Sequence, residues 1–377
     1  MRKLVLSVMF VCLLAFVSVV GAGAATVTPV ASGLDNPRGV AFLPNGTLAV
    51  AEAGHGGDVC LGTGGTPPCL GTSSQVSAVD LATGSHTPIV SGLFSVLEPE
   101  GGGSVIGAAG LSAQGGRLLL SLGESPAPLA DASCTGLGSD CAAVLATARA
   151  EAGQLLKVTP SGSWKALAGV GSFDFDFTAA NPGDGTYGEE IDANPYGVLA
   201  TPSGTYVADA GANTLDWVAN NGDISIVYRF PVPNPMEPFP TDGVPTCIAQ
   251  GAGGLIVADL AGRIWRVSGG NATIISDEQA DITKNNHYTG CAADAAGNVY
   301  VVSMFKGLFP NPGTGSIVEV AANGSVSTLP GTTSLVFPNM IAIGPDGQLY
   351  VSVNSVCPAV SGPACGGLTG GLVKITP

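Results

Sequence analysis

Six times along this chain a proline or small residue introduces an apolar strand, a Gly-containing turn and a second apolar strand. The phrase reads NPRGVAFLPNGTLAVAE from Asn36, GAAGLSAQGGRLLLSL from Gly107 and NPYGVLATPSGTYVAD from Asn194. It returns as VPTCIAQGAGGLIVAD from Val244, YTGCAADAAGNVYVVS from Tyr288 and FPNMIAIGPDGQLYVS from Phe337. Strand-only self-similarity at a period of roughly 40–50 residues predicts an all-β, six-bladed β-propeller. Such a fold is a scaffold, so activity has to be read from what is grafted on it.

A second hairpin follows each phrase, from Gln75, Gly153, Thr214, Gly262 and Gly315, and two hairpins make a four-stranded blade. The last one, from Gly370, stops after one strand. TVTPVASGL, from Thr26, supplies the missing partner, so the N-terminal strand is expected to pair with the C-terminal strand. Closure of this kind removes open sheet edges and predicts one monomeric domain over 26–377.

Residues 1–25 read differently. Arg2 and Lys3 precede an uncharged apolar run from Leu4 to Val20, then Gly-Ala-Gly-Ala-Ala. That is the layout of a signal peptide with Thr26 as first mature residue, and the run is short against the roughly 20 residues of a membrane span. A secreted, extracellular protein without a membrane span is expected. Of the nine cysteines, Cys12 falls in this leader and the others suit an oxidising compartment. Cys60–Cys69, Cys134–Cys141 and Cys357–Cys365 each bracket a Gly/Pro-rich insert, as loop disulfides would. Cys247 and Cys291 occupy corresponding positions in consecutive repeats, matching Val40, and either bridge neighbouring blades or remain two buried thiols.

Alternation of strands puts the short turns on one face and the long connections on the other: 53–74, 123–152, 171–193, 231–243, 277–289, 304–314 and 354–369. Most of the acidic residues fall on or beside the long-loop face. The formal net charge is −15, with 13 Lys and Arg in total, which excludes nucleic acid as a partner held by charge. Long loops on a rigid frame are where binding sites usually sit; the alternative role of acidic loops is solubility.

Glu52, Asp209 and Asp259 end strands at matching positions and could place carboxylates near the channel mouth for a cation or polar ligand. The same residues could instead accept turn N–H groups. The insert from Phe173 gathers Asp174, Asp176, Asp184, Glu189, Glu190 and Asp192, and reads as a solvated acidic loop without the spacing of a calcium-binding EF-hand. His55 and His287 lie on the long-loop face and could act as acid or base, whereas His86 falls in an outer hairpin. No G-x-S-x-G accompanies them.

Several motifs resemble the ScyD/ScyE family of secreted, NHL-like propellers. They are Gly33–Gly39 (GLDNPRG), Ala51–Gly57 (AEAGHGG), the Cys60/Cys69 insert, and Asn194–Gly197 leading to Tyr206–Asn213 (YVADAGAN). Arg229-Phe230-Pro231 and Val244-Pro245-Thr246 complete the match. The resemblance implies propeller fold and export, and no particular reaction. In blade layout the chain also resembles the gluconolactonase-like group, which implies a divalent metal in the channel. Asn36, Asn194 and Asn339 lie at strand starts, as polar residues of such a channel would.

Two functional expectations follow. The leading one is binding of a small molecule, or of an extracellular or envelope protein, on the acidic long-loop face, with no cofactor required. Its candidate residues are Asn36, Glu52, His55, Asn194, Asp209, Asp259 and His287. The other is a calcium-dependent lactonase or esterase with Glu52, Asp209 and Asp259 as metal ligands; an adhesion module without a small-molecule site is a weaker third.

Overall fold

Apolar residues fill nearly every position of the inner strands, as in LAVAE over Leu48–Glu52, which is buried throughout. A strand covered on both faces must lie inside a stack of sheets. The computed structural model describes residues 23–62, 67–98, 104–182, 191–231, 243–278, 286–307, 313–360 and 365–377. It places these strands in six sheets, each running outward from an innermost strand. The innermost strands are Pro37–Phe42, Ala108–Gln114, Pro195–Ala200, Pro245–Gly251, Asn286–Ala293 and Ile341–Ile343. Each packs beside the next, and the last returns to the first.

The seam is as expected. Thr26–Leu34 pairs antiparallel with Gly370–Thr376, Val27 opposite Ile375 and Leu34 opposite Gly370. Ala25, just before this strand, is buried and donates its N–H to Pro330 O at 2.7 Å. The short turns use left-handed glycine as the hairpin geometry requires: Gly46 has φ +84° and closes a bond from its N–H to Leu43 O.

The core is divided between blades. Leu111, Leu118 and Leu120 of the second blade meet Ala49, Val76 and Leu93 of the first. Val207 and Val218 of the third blade meet Leu119 and Leu155 of the second. Equivalent clusters separate the remaining blades, including Leu34 and Leu372 against Val40 and Val50 across the seam.

All four disulfides form: Cys60–Cys69, Cys134–Cys141, Cys247–Cys291 and Cys357–Cys365. The register corrects one expectation. Cys247 lies opposite Ala258, next to Asp259 of its blade, as Gly39 falls in the first blade. Cys291 lies opposite Val301 and is the one that matches Val40. The two cysteines are therefore offset by one residue.

Three long connections are more ordered than the sequence suggested. Cys69–Val79 and His86–Glu98 form a hairpin that continues beyond the blade, pairing Leu70 with Val96 and Cys69 with Leu97. Val59–Cys60 and Ser104–Ile106 flank it. Two helices were not expected at all, Cys141–Glu151 and Val170–Ala180. The first buries Cys141, Leu145 and Ala148 against Leu70, Phe94 and Val96 of the raised hairpin. Glu151 fixes its end by accepting the Phe94 N–H at 2.8 Å.

Candidate functional site

The ring axis is occupied by side chains of the innermost strands. Tyr196 in the third blade donates its hydroxyl to Asn339 Oδ1 in the sixth at 2.8 Å. Arg38, buried beside it, donates to Ser355 O at 2.7 Å and Val105 O at 3.3 Å. A cavity of about 30 Å³ lies among Val40, Gly110, Thr246, Cys247 and Met340.

Of the carboxylates picked out as a channel-mouth set, Glu52 and Asp259 have both oxygens occupied by protein donors, while Asp209 has one oxygen so occupied and one without a hydrogen-bond partner among the described residues. Glu52, fully buried, accepts the Asp35 N–H at 2.7 Å, Gln75 Nε2 at 2.9 Å and the Ser77 hydroxyl. Asp259 accepts the Arg263 N–H at 2.8 Å on one oxygen. Its other oxygen takes Arg263 Nε at 2.7 Å and Trp265 Nε1 at 2.9 Å. Burial pushes Asp259 up to about 6 even beside Arg263. Asp209 Oδ1 accepts the N–H groups of Asn194, Gly211 and Ala212. Among the described residues no group of three His, Cys, Asp or Glu could hold a metal ion, so the residues present do not fit a channel metal.

The remaining candidates are placed as follows. Asn36 is buried at φ +50° and donates Nδ2 to Gly54 O at 2.8 Å. Asn194 Oδ1 accepts the Glu124 N–H at 3.2 Å. His55 is exposed, with Nδ1 2.5 Å from Asp35 Oδ2. His287 is buried, stacks on Phe305, and has Leu260 O 2.7 Å from Nδ1 and Gly307 O 2.8 Å from Nε2. Burial pushes its pKa down, against the pull of the two carbonyls.

The acidic insert is not a solvated loop where it is described. Helix Val170–Ala180 turns Val170, Gly171, Asp174 and Thr178 inward, one face at helical spacing. Asp174 is completely buried and meets Asp209 and Asp216. Burial and mutual repulsion raise all three, Asp174 to about 9, Asp216 to about 8 and Asp209 well above the usual range. Carboxyls so placed favour the protonated form, and Asp174 Oδ1 and Oδ2, Asp209 Oδ2 and Asp216 Oδ1 are buried without other hydrogen-bond partners among the described residues. Asp176 is exposed and Asp192 half-buried, while Asp184, Glu189 and Glu190 lie outside the described residues.

The long-loop face does carry a pocket, of about 450 Å³, between the raised hairpin of the first blade and residues 124–133 of the second. Leu61, Leu70, Phe94, Val96 and Leu129 make its apolar wall, and Glu98, Glu124 and Asp131 are its acidic groups. The Cys60–Cys69 and Cys134–Cys141 disulfides brace the two walls. Glu124 is half-buried at φ +71°. Burial pushes it up to about 7, with Asp192, Glu98 and Asp209 adding repulsion. Sequence reasoning missed Glu124, because at the corresponding step the first and third repeats have Gly54 and Gly211. An acid where a turn glycine belongs was the available signal.

No family model matches the chain, and no curated protein matches it either. Solved structures do. A gluconolactonase from Xanthomonas campestris superposes with TM-score 0.54 at 8% identity, over 93% of this chain and 89% of its own. A streptogramin B lyase gives TM-score 0.50 at 13% identity, over 94% and 98%. A PQQ-bound aldose sugar dehydrogenase from Streptomyces coelicolor gives 0.51 at 13%, over 93% and 98%. Neighbours with such different chemistries establish the propeller fold and no shared reaction.

Proposed function

We propose that this chain is an exported propeller that binds a small, largely apolar molecule in the pocket between its first and second blades. The carrying observation is the cavity of about 450 Å³, with an apolar wall and few polar groups. Those are the size and composition of a small-ligand site. Four disulfides support an extracellular location, as does the leader-like segment 1–25, which lies mostly outside the described residues. Among the described residues no helix is long and apolar enough to cross a membrane. The ScyD/ScyE-like motifs around Asn36, Glu52 and Asn194 favour the same export and fold.

The neutral dye Nile red tests the reading. Its fluorescence should rise on binding the native protein, and Ala132→Phe, which narrows the cavity, should weaken that binding. An affinity unchanged by the substitution puts the site elsewhere. The lactonase reading, with calcium on Glu52, Asp209 and Asp259, has only a likeness in fold behind it and runs against the protein donors that already occupy Glu52 and Asp259. It is tested by EDTA-sensitive lactone turnover.

A further inference from the structure

Resting on that pocket reading, we infer that the pocket selects a small hydrophobic ammonium ion, an amine on an apolar body, over its neutral and anionic counterparts. Among the described residues, three carboxylic side chains line the cavity, Glu98, Glu124 and Asp131, and no Lys, Arg or His does. The cation packed behind this wall is engaged by the wall's own carbonyls. Arg149 donates Nε to Leu129 O at 3.0 Å and Nη2 to the Ala130 and Ala132 carbonyls, both at 2.9 Å. That clamp shapes the 129–132 wall from the helix side without placing charge in the cavity.

A ligand entering against Leu61, Leu70, Phe94 and Val96 loses water. A charged end survives desolvation only where an opposite charge receives it. An ammonium finds acceptors at Glu98 and Glu124, while a carboxylate meets like charge and a hydroxyl gains only ordinary hydrogen bonds. Glu124 has reason to take the cation: burial first, and then repulsion from Asp192, Glu98 and Asp209, disfavour its carboxylate, and a neighbouring positive charge offsets both.

The test is calorimetric titration of the full mature protein with 4-phenylbutylamine, 4-phenylbutanol and 4-phenylbutanoate at neutral pH and low salt, beside Nile red. The amine should bind on the order of tenfold tighter than the alcohol, with the carboxylate weakest. Glu98→Gln and Glu124→Gln should each erase most of that preference, read within each variant as the ratio of amine to alcohol affinity. An alcohol that equals the amine, or a carboxylate that exceeds it, overturns the ammonium assignment while the pocket reading stands. If neither Nile red nor any phenylbutyl compound binds, the pocket reading fails and takes this one with it. Should Glu124→Gln not fold, an unchanged preference in Glu98→Gln overturns the assignment.

Discussion

The Tyr196 hydroxyl and Asn339 Oδ1 are 2.8 Å apart, in blades three places removed around a ring of six, so one hydrogen bond spans the axis. The bond ties the third blade to the sixth. Tyr196→Phe leaves the Asn339 oxygen without its donor in a buried place and should cost about 1–2 kcal/mol. Urea denaturation measures it. No loss of stability would mean that the bond contributes nothing across the axis.

Cys247 explains why a disulfide links neighbouring blades at this one place. It stands where the first, second, third and fifth blades carry Gly39, Gly110, Gly197 and Gly290. At those glycines a side chain would meet the next blade; a Cβ on Gly197, for example, would lie 2.5 Å from Thr246 O. In the fourth blade the side chain is kept and its sulfur bonds to Cys291 of the next innermost strand. The bridge separates its cysteines by 44 residues, against 7 to 9 for the loop disulfides. Loop entropy then predicts that Cys247→Ser with Cys291→Ser costs about 4 kcal/mol, more than removing any loop disulfide. Denaturant midpoints of the four paired variants give the ranking, and a Cys60/Cys69 pair that costs more would contradict it.

The wheel, its seam and the three loop disulfides were legible because they follow from local repetition, turn chemistry and spacing. The helices were not, for different reasons. In Val170–Ala180 the FDFDF alternation mimics a strand, and only contact with the blades beneath selects the helical face of Asp174 and Thr178. CAAVLATARAE over Cys141–Glu151 has good helix formers, but it sat between Gly- and Pro-rich stretches. The carboxylates at strand ends were visible as a pattern, yet what they accept was not. Asp216 falls on an inward position of Thr214–Ala219, and whether that position is paired depends on a helix some 40 residues earlier.

Asp259 and Arg263 form an ion pair with both side chains almost fully enclosed. Cutting one partner leaves the other charge buried without compensation. Asp259→Ala should therefore cost about 3–5 kcal/mol, while Asp259→Asn retains part of the network and costs less. Chemical denaturation of both variants checks the order. An alanine variant within about 1 kcal/mol of the native protein would assign Asp259 a role other than holding Arg263 and Trp265.

The cluster of Asp174, Asp209 and Asp216 makes stability fall as pH rises. In the unfolded chain these side chains release their protons near pH 4. In the fold Asp174 holds its proton to about 9 and Asp216 to about 8. Between those limits the native state binds more protons, so each step upward in pH favours unfolding. The contribution is whole below about pH 4 and is lost as pH climbs through 8 to 9. The three groups titrate together rather than singly. Asp174→Asn keeps the shape and supplies N–H donors without needing a proton. It should flatten the decline and raise the melting temperature at pH 8.5 more than at pH 5.5. Thermal melts across that range decide it. A native protein whose stability rises steadily to pH 9, or an Asp174→Asn variant that melts lower throughout, would show that the three carboxyls are not holding protons between the helix and the third blade.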